Sequence, residues 1–137
     1  MTVIELEPFR AEHLQGVVAL CAAEGWDTYT EDPERTRRAL SSPGSTTLIA
    51  VDGGVVAGLI QLQSDGEIQA HLSALLVGEA WRAGGLARRL LREALERAGG
   101  MRMDILTAAE AFYLHLGAES KAGFRLRPSD LQEGLSG

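Results

Sequence analysis

The stretch from Val77 to Leu91, VGEAWRAGGLARRLL, is the most informative part of this chain of 137 residues. An apolar strand is predicted to end where the stretch begins, a short loop with Gly84 and Gly85 follows, and an amphipathic helix begins behind them. Glycines let the backbone approach a ligand closely, and unpaired amides at the positive end of a helix dipole favour a negative charge. Arg82 and Arg88 flank the glycines and can add charge-assisted hydrogen bonds. The stretch therefore predicts an anion site, and we expect the anion to be a diphosphate.

The loop that begins at Arg82 carries the pattern Arg-x-x-Gly-x-Ala. This pattern resembles the Gln/Arg-x-x-Gly-x-Gly/Ala signature of the GNAT superfamily of acyl-CoA N-acyltransferases, and the order of elements over nearly the whole chain is similar to a compact GNAT domain. In that family the loop holds the pyrophosphate of coenzyme A, so the resemblance implies acetyl-CoA as the co-substrate. The cofactor-binding residues that it implies in this loop are Arg82, Ala83, Gly84, Gly85, Leu86, Ala87 and Arg88.

The end of the strand before the loop carries a second part of the resemblance. In the family this strand splays from its neighbour, and its free backbone groups bind the pantetheine arm as a sheet edge binds an added strand. Leu75, Leu76 and Val77 match those positions, and a backbone amide nearest to Leu76 could stabilise the oxyanion of a tetrahedral intermediate. A plain buried core strand would account equally well for these apolar residues.

A tight strand-to-helix turn without a ligand is the alternative interpretation of the glycine loop. The positive charge of Arg82, Arg88 and Arg89 favours the anion site, because a buried turn does not need that charge. The Walker pattern Gly-x-x-x-x-Gly-Lys-Ser/Thr is absent from the sequence, and so is Gly-x-Gly-x-x-Gly. Nucleotide hydrolysis and dinucleotide redox chemistry therefore lack their usual sequence signatures.

Composition limits the classes of function further. The formal net charge is -6, whereas nucleic-acid binders normally carry a basic face, so we expect no nucleic-acid partner. The acidity favours a cationic substrate through electrostatic steering, and solubility alone would also explain it. Cys21 is the only cysteine, which excludes an internal disulfide and a cysteine-cluster metal site, and we expect no metal. The sequence contains no run of about 18 apolar residues and no secretory signal, so we expect a cytoplasmic protein without a membrane partner.

Hydrophobic periodicity predicts an α/β (α+β) fold. Alternating segments predict strands over residues 2–7, 46–51, 55–63, 67–77, 101–107 and 122–127. Helical spacing predicts helices from residue 11 to the glycine at 25, from 33 to 40, from the glycine loop to 98 and from 108 to 116, with a polar loop over 24–31. We expect one GNAT-like domain over residues 1–137, with a loose tail over 128–137. Its central sheet is expected to be mixed and mostly antiparallel, with about six to seven strands and about four flanking helices on both faces.

Tyr113 is the candidate general acid. The segment around it, FYLHLGA from Phe112 to Ala118, resembles the Phe/Leu-Tyr-x-x-x-Gly-Phe pattern near the end of the family's core, with Ala118 in place of the final aromatic residue. In the family this tyrosine protonates the departing thiolate. A phenol with a pKa of about 10 can protonate a thiolate whose conjugate acid has a pKa of about 8.5, or above when desolvated. The asparagine that the family carries ahead of the tyrosine is missing here. A tyrosine packed at the edge of the core is the structural alternative.

His71 is the first candidate for the general base that deprotonates the amine. The period of two in a strand places His71 on a polar face and the residues between on an apolar face. The polar face comprises Glu67, Gln69, His71 and Ser73. The apolar face comprises Ile68, Ala70, Leu72 and Ala74. Histidine titrates near neutrality, and its position before the loop resembles the place of a catalytic glutamate in some family members. Glu67 is the second candidate and an ordered water relay the third, and a hydrogen-bonded surface histidine is the structural alternative.

The loop between the first two predicted helices contains Glu24, Trp26, Asp27 and Tyr29. In the family this loop often borders the acceptor site, and carboxylates beside aromatic rings suit an ammonium ion. Trp26 and Tyr29 are therefore the candidate substrate-binding residues. An acidic loop whose aromatic rings pack into the core would have the same composition.

These features predict an N-acetyltransferase that moves an acetyl group from acetyl-CoA directly to a primary amine of a small molecule or peptide, within a ternary complex. One alternative is a non-catalytic acyl-CoA binding or sensing module. Another is a nucleotide-binding regulator that does not use coenzyme A. Dimers are common among proteins that resemble this one, so a homodimer is compatible with the sequence.

Overall fold

The computed structural model describes residues 3–132, which form two compact units. The first unit ends at Ile105 and the second begins at Leu106. No helix in the described range is both long enough and apolar enough to cross a membrane. The expectation of a single domain over residues 1–137 stays a prediction.

A five-stranded sheet forms the centre of the first unit, and its strands lie side by side in chain order. They are β1 (Ile4–Pro8), β2 (Ser45–Asp52), β3 (Val55–Ser64), β4 (Gln69–Val77) and β5 (Arg102–Ile105). Neighbours from β1 to β4 pair antiparallel, whereas β4 and β5 pair parallel. The hairpin between β2 and β3 turns at Gly53 and Gly54, whose φ angles of 56° and 86° favour glycine. The chain thus forms an antiparallel meander followed by one crossover to β5.

Helices connect and cover these strands. The first unit contains α1 (Leu14–Ala23), α2 (Asp27–Thr30), α3 (Pro33–Leu40) and α4 (Leu86–Ala98), with 3-10 helices over Ala11–His13 and Glu79–Gly84. The second unit contains α5 (Glu110–His115) and α6 (Pro128–Leu131). The start of α3 is confirmed, because the Asp32 side chain accepts a hydrogen bond of 3.1 Å from the Arg35 amide and Pro33 takes the first helical position.

The expected numbers of about six to seven strands and about four helices are wrong. The described residues hold five strands, because residues 122–127 have no regular secondary structure. The alternation of Phe124 and Leu126 imitates a strand, yet these side chains are 89% and 69% exposed, and a strand is stable only when a neighbour completes its hydrogen bonds. One-turn helices, α2 and α6, form within the predicted polar loop and the predicted loose tail. Residues 133–137 of that tail lie outside the described residues.

Helices cover both faces of the sheet, as expected. On one face, buried side chains of α1 and α3 pack against the strands. This core comprises Val17, Leu20, Cys21, Leu40, Ile49, Leu59 and Leu76. On the other face α4 packs against β3 at Gly58, where a Cβ would lie 3.0 Å from the Leu76 oxygen and 3.3 Å from Leu90 Cδ1. This close approach fixes the position of α4 on the sheet.

A β-bulge in β4 changes the pattern of side chains near the end of the strand. Ala74 pairs with Gln61 and Leu72 pairs with Leu62, so Ser73 has no partner of its own in β3. Because Gln61 and Leu62 point to opposite faces, Ala74 lies on the face opposite Leu72. The expectation that these two residues share a face is therefore wrong, since counting by twos does not register an inserted residue.

Gly58→Ala should destabilise the protein, because the new methyl group would approach a backbone oxygen, that of Leu76, to 3.0 Å. We expect the free energy of unfolding to fall by about 1–3 kcal/mol, measured by urea denaturation followed by circular dichroism. Gly84→Ala is the matched control, since nothing lies within 4 Å of its Cβ position. A Gly58→Ala variant as stable as the wild type would contradict this close packing.

Candidate active site

The glycine loop folds as the 3-10 helix Glu79–Gly84, followed directly by the N-terminus of α4. Gly85 is the N-cap of α4 and has a φ of 77°, a left-handed conformation that favours glycine. No side chain in the described range caps this helix. The amides of Leu86, Ala87 and Arg88 therefore lack a partner within the helix and point out of its N-terminus.

The surroundings of this N-terminus fit a diphosphate. Gly84 and Gly85 are exposed, and no atom lies within 4 Å of either Cβ position, so a ligand has room there. Arg88 is also exposed, and its side chain forms no ion pair within residues 3–132. Backbone amides at a helix start and a guanidinium group are the donors that bind phosphate oxygens best.

Trp81 holds the loop against the sheet. Its Nε1 donates a hydrogen bond of 2.7 Å to Asp52 Oδ2 at the end of β2, and its ring lies over Gly78, where a Cβ would come within 2.8 Å of the ring. Arg89 adds a second connection, since its Nη1 donates a hydrogen bond of 2.8 Å to the Ile4 oxygen in β1. The protein itself therefore holds the loop in place.

The Arg82 side chain makes polar contacts with other residues of the protein. Its guanidinium forms an ion pair with Glu24 at the C-terminal end of α1, and its Nε donates a hydrogen bond of 3.1 Å to the Val77 oxygen. Arg82 and Arg89 both bind oxygens of the protein, which accounts for part of the positive charge in this stretch without an anion. The cofactor-binding role of Arg82 stays a prediction, and the exposed Arg88 forms no ion pair in the described range.

Beyond the bulge, β4 extends past its parallel neighbour. The ladder between β4 and β5 ends at the pair Leu72 and Ile105, whereas pairing with β3 continues to Val77. Within the described part of the first unit, β4 therefore has no ladder partner on its β5 side after Leu72. Residues 75–77, which the resemblance implies as the pantetheine site, lie in this open stretch.

The backbone amides of the open stretch point in two directions. The Gly78 amide donates a hydrogen bond of 2.8 Å to the Ala57 oxygen of β3. By the alternation of an antiparallel ladder, the Leu76 amide then also faces β3, whereas the amides of Leu75 and Val77 face away from it. A backbone donor for an oxyanion is therefore available at Leu75 or Val77, because the Leu76 amide serves the ladder.

His71 lies exposed on the polar face of β4. It pairs with Gln63 of β3 and with Asp104 of β5. Gln61, on the same face as Gln63, donates a hydrogen bond of 2.8 Å from Nε2 to the Ala39 oxygen of α3, so His71 is on the face that α1 and α3 cover. No group of three or more His, Cys, Asp or Glu side chains placed to hold a metal ion occurs within residues 3–132.

Glu67 does not lie on the polar face of β4. It lies in the turn before β4, where Asp65 Oδ1 accepts hydrogen bonds of 2.8 Å from the amides of Glu67 and Ile68. These backbone donors hold the pKa of the Asp65 carboxyl below its ordinary value. The prediction that the strand includes Glu67 is wrong, because the aspartate side chain binds the local backbone and replaces the start of the ladder.

The corner between α1 and α2 forms an open cavity of about 360 Å³ lined by residues 25–29. The rings of Trp26 and Tyr29 lie 5.7 Å apart and pack on the core beneath α1. Burial raises the pKa of the Tyr29 phenol, which therefore stays neutral at physiological pH. The two interpretations of this loop are compatible, since the same aromatic rings line the cavity and cover the core. Glu24, which precedes the cavity, connects it to the glycine loop through its ion pair with Arg82.

Tyr113 lies in α5 of the second unit and is half-buried. Its ring lies nearly perpendicular to the Phe112 ring, at an interplanar angle of 82° and a centroid distance of 4.9 Å. Burial raises the pKa of the Tyr113 phenol, so the hydroxyl stays protonated at neutral pH and can act as a proton donor.

Comparison with known proteins identifies the family of this chain. Residues 10–118 match the sequence pattern of the Acetyltransferase (GNAT) family. A protein from Deinococcus radiodurans R1 assigned to the acetyltransferases has a similar structure, with a TM-score of 0.72, 27% identity, and coverage of 94% of this chain and 91% of that chain. This chain belongs to the GNAT acetyltransferase family.

Other solved structures share the fold. A GNAT family acetyltransferase from Streptococcus pneumoniae TIGR4 has a TM-score of 0.72 and 25% identity, with coverage of 93% of this chain and 99% of that chain. The aminoglycoside N-acetyltransferase AAC(6')-Iy, in complex with coenzyme A, has a TM-score of 0.71 and 17% identity, with coverage of 93% and 95%. No curated protein sequence matches the chain significantly.

Cys21 should be unreactive in the folded protein. Its side chain is fully buried, and burial raises the pKa of the thiol to about 11, so little thiolate forms at neutral pH. We expect a disulfide reagent such as DTNB to label Cys21 only after unfolding in guanidinium, measured by the absorbance of the released thiolate. Fast labelling of the native protein would contradict the described packing of α1.

Proposed function

We propose that this chain is an N-acetyltransferase that moves an acetyl group from acetyl-CoA directly to a primary amine of a small molecule or peptide. The observation that carries the proposal is the uncapped N-terminus of α4, which lies at the open end of β4 in a chain of the GNAT acetyltransferase family. Both substrates are expected to bind together, because holding the amine beside the thioester supplies much of the rate by proximity.

Coenzyme A would bind along the backbone of the first unit. The amides of Leu86, Ala87 and Arg88 would hold the diphosphate, with the guanidinium of Arg88 adding charge-assisted bonds. The outward-facing backbone groups of Leu75 and the outward-facing amide of Val77 would bind the pantetheine arm as an added strand. Gly84 and Gly85 leave room for the approach, since nothing lies within 4 Å of their Cβ positions.

The chemistry forms one bond and breaks another. The amine nitrogen bonds to the acetyl carbonyl carbon, and the bond between that carbon and sulfur breaks. The ammonium form of the amine must lose a proton before its nitrogen can attack, and we assign that proton to His71, with Glu67 and a water relay as the alternatives. An amide at Leu75 or Val77 would stabilise the oxyanion, and the Tyr113 hydroxyl would give its proton to the departing thiolate. The second proton, which the nitrogen loses as the amide forms, would return the Tyr113 phenolate to its neutral form.

A cationic small-molecule or peptide amine suits the cavity between α1 and α2. Trp26 and Tyr29 offer aromatic faces to an ammonium group, and the net charge of -6 attracts cations in solution. The aminoglycoside N-acetyltransferase that shares the fold acts on amines of this class, which supports the choice.

Gly85→Glu should abolish binding of coenzyme A, because it places a carboxylate at the helix start where the diphosphate would bind. It should leave the fold largely intact, with some backbone strain at the positive φ. Calorimetric titration with coenzyme A measures the loss. Gly66→Glu is the matched control, since Gly66 also has a positive φ, 83°, and nothing within 4 Å of its Cβ position. Undiminished affinity in Gly85→Glu would refute the assignment of the diphosphate site.

Tyr113→Phe should lower kcat by about 100-fold or more, as expected for the loss of a general acid, and should leave the affinity for coenzyme A nearly unchanged. Release of free thiol from acetyl-CoA in the presence of an amine panel measures the rate. An unchanged kcat would remove Tyr113 from the mechanism. Tight binding by the wild type without turnover of any amine would instead favour the acyl-CoA sensing module.

A further inference from the structure

Arg82 connects the cofactor loop to the end of α1. Its guanidinium forms an ion pair with Glu24, the C-cap of α1, and its Nε donates a hydrogen bond of 3.1 Å to the Val77 oxygen at the end of β4. Glu24 immediately precedes residues 25–29, which line the cavity at the α1–α2 corner. One side chain therefore contacts both the strand end that leads into the loop and the helix end that leads into the cavity.

The surroundings of Glu24 favour a cation at this point. The Glu24 side chain is only 16% exposed, and a carboxylate at the C-terminal end of a helix faces the negative end of the dipole. Arg82 offsets both effects, yet its own side chain is 52% exposed, so solvent screens the pair and its contribution to global stability is small. A pair that adds little stability but joins two parts of a site is suited to positioning them.

We propose that the Glu24–Arg82 ion pair couples the diphosphate site to the amine pocket, and that Arg82 is a positioning residue rather than a phosphate ligand. This inference rests on the proposed function, because it requires coenzyme A at the start of α4. A diphosphate bound at the amides of α4 attracts the guanidinium of Arg82 through space, in a loop that Trp81 already holds in place. Through Glu24, a displacement of Arg82 moves the last turn of α1 and, with it, Trp26 in the pocket.

Thermodynamic linkage makes this coupling reciprocal. If coenzyme A changes the affinity of the pocket for the amine, the amine changes the affinity for coenzyme A by the same factor, typically about 5-fold to 150-fold. Glu24→Ala should therefore raise the KM of the amine by about fivefold or more. The same variant should leave kcat nearly unchanged, because Glu24 acts through Arg82 and the α1–α2 corner rather than on the reacting atoms.

The two tryptophans allow the two sites to be observed separately, since Trp26 lines the pocket and Trp81 lies in the loop. In protein labelled with 5-fluorotryptophan, coenzyme A should shift both fluorine NMR resonances, which a Trp26→Phe variant assigns. In Glu24→Ala, coenzyme A should shift the Trp81 resonance alone. The affinity of Glu24→Ala for coenzyme A, measured by calorimetry, should differ from that of the wild type by less than about fivefold. Arg82→Lys, which keeps the charge, should retain most of the Trp26 response.

Glu93→Ala is the matched control, because it removes an exposed ion pair, with Arg97, two turns from the start of α4 and on the opposite face of the sheet from the α1–α2 corner. A Trp26 response to coenzyme A that is the same in Glu24→Ala and the wild type would overturn the coupling and leave the proposed function standing. Absence of any binding heat with the wild type would overturn the proposed function and the coupling with it. Should Glu24→Ala fail to fold, Glu24→Gln keeps the size and an acceptor atom while removing the charge, and the same readouts apply.

Discussion

The candidate site depends on three backbone N–H groups at the start of α4 that have no hydrogen-bond partner within the helix. Gly85 begins the helix in a left-handed conformation and brings no capping side chain, so the amides of Leu86, Ala87 and Arg88 need an acceptor from outside the helix. Water can serve them, but a diphosphate supplies both acceptor oxygens and the negative charge that the helix dipole favours. Because Trp81 holds the loop to β2, these donors are placed without ordering by the ligand, which reduces the entropic cost of binding.

The sheet places the second half of the site next to the first. The bulge at Ser73 follows directly on Leu72, where pairing between β4 and β5 ends. Bulges bend a strand and interrupt its ladder, so the backbone that follows is open to another extended chain. Gly58 lets α4 approach β3 closely, and this packing sets the helix start beside the end of β4. The proposed diphosphate site and the proposed pantetheine site therefore depend on one packing arrangement.

Signals between near neighbours in sequence were sufficient for much of the fold and for the conformation of the glycine loop. The glycine pair ahead of α4, the Asp32 cap and the meander each depend on neighbours within a few residues, and the structure confirms them. Contacts between residues far apart in the sequence were not predicted. Charge alone assigned Arg82 to an anion, because nothing in the sequence indicates that the chain brings Glu24 to it. Residues 122–127 have the pattern of a strand without an edge to join, and the chemical roles of His71 and Tyr113 stay predictions.

The backbone amide resonances at the start of α4 test the central claim most directly. In nitrogen–proton correlation spectra, saturating coenzyme A should move the amide protons of Leu86, Ala87 and Arg88 downfield, because each would donate a hydrogen bond to an anionic oxygen. Inorganic pyrophosphate at higher concentration should move the same resonances. Coenzyme A that binds with measurable heat but shifts amides elsewhere, and leaves these three unmoved, would contradict the account.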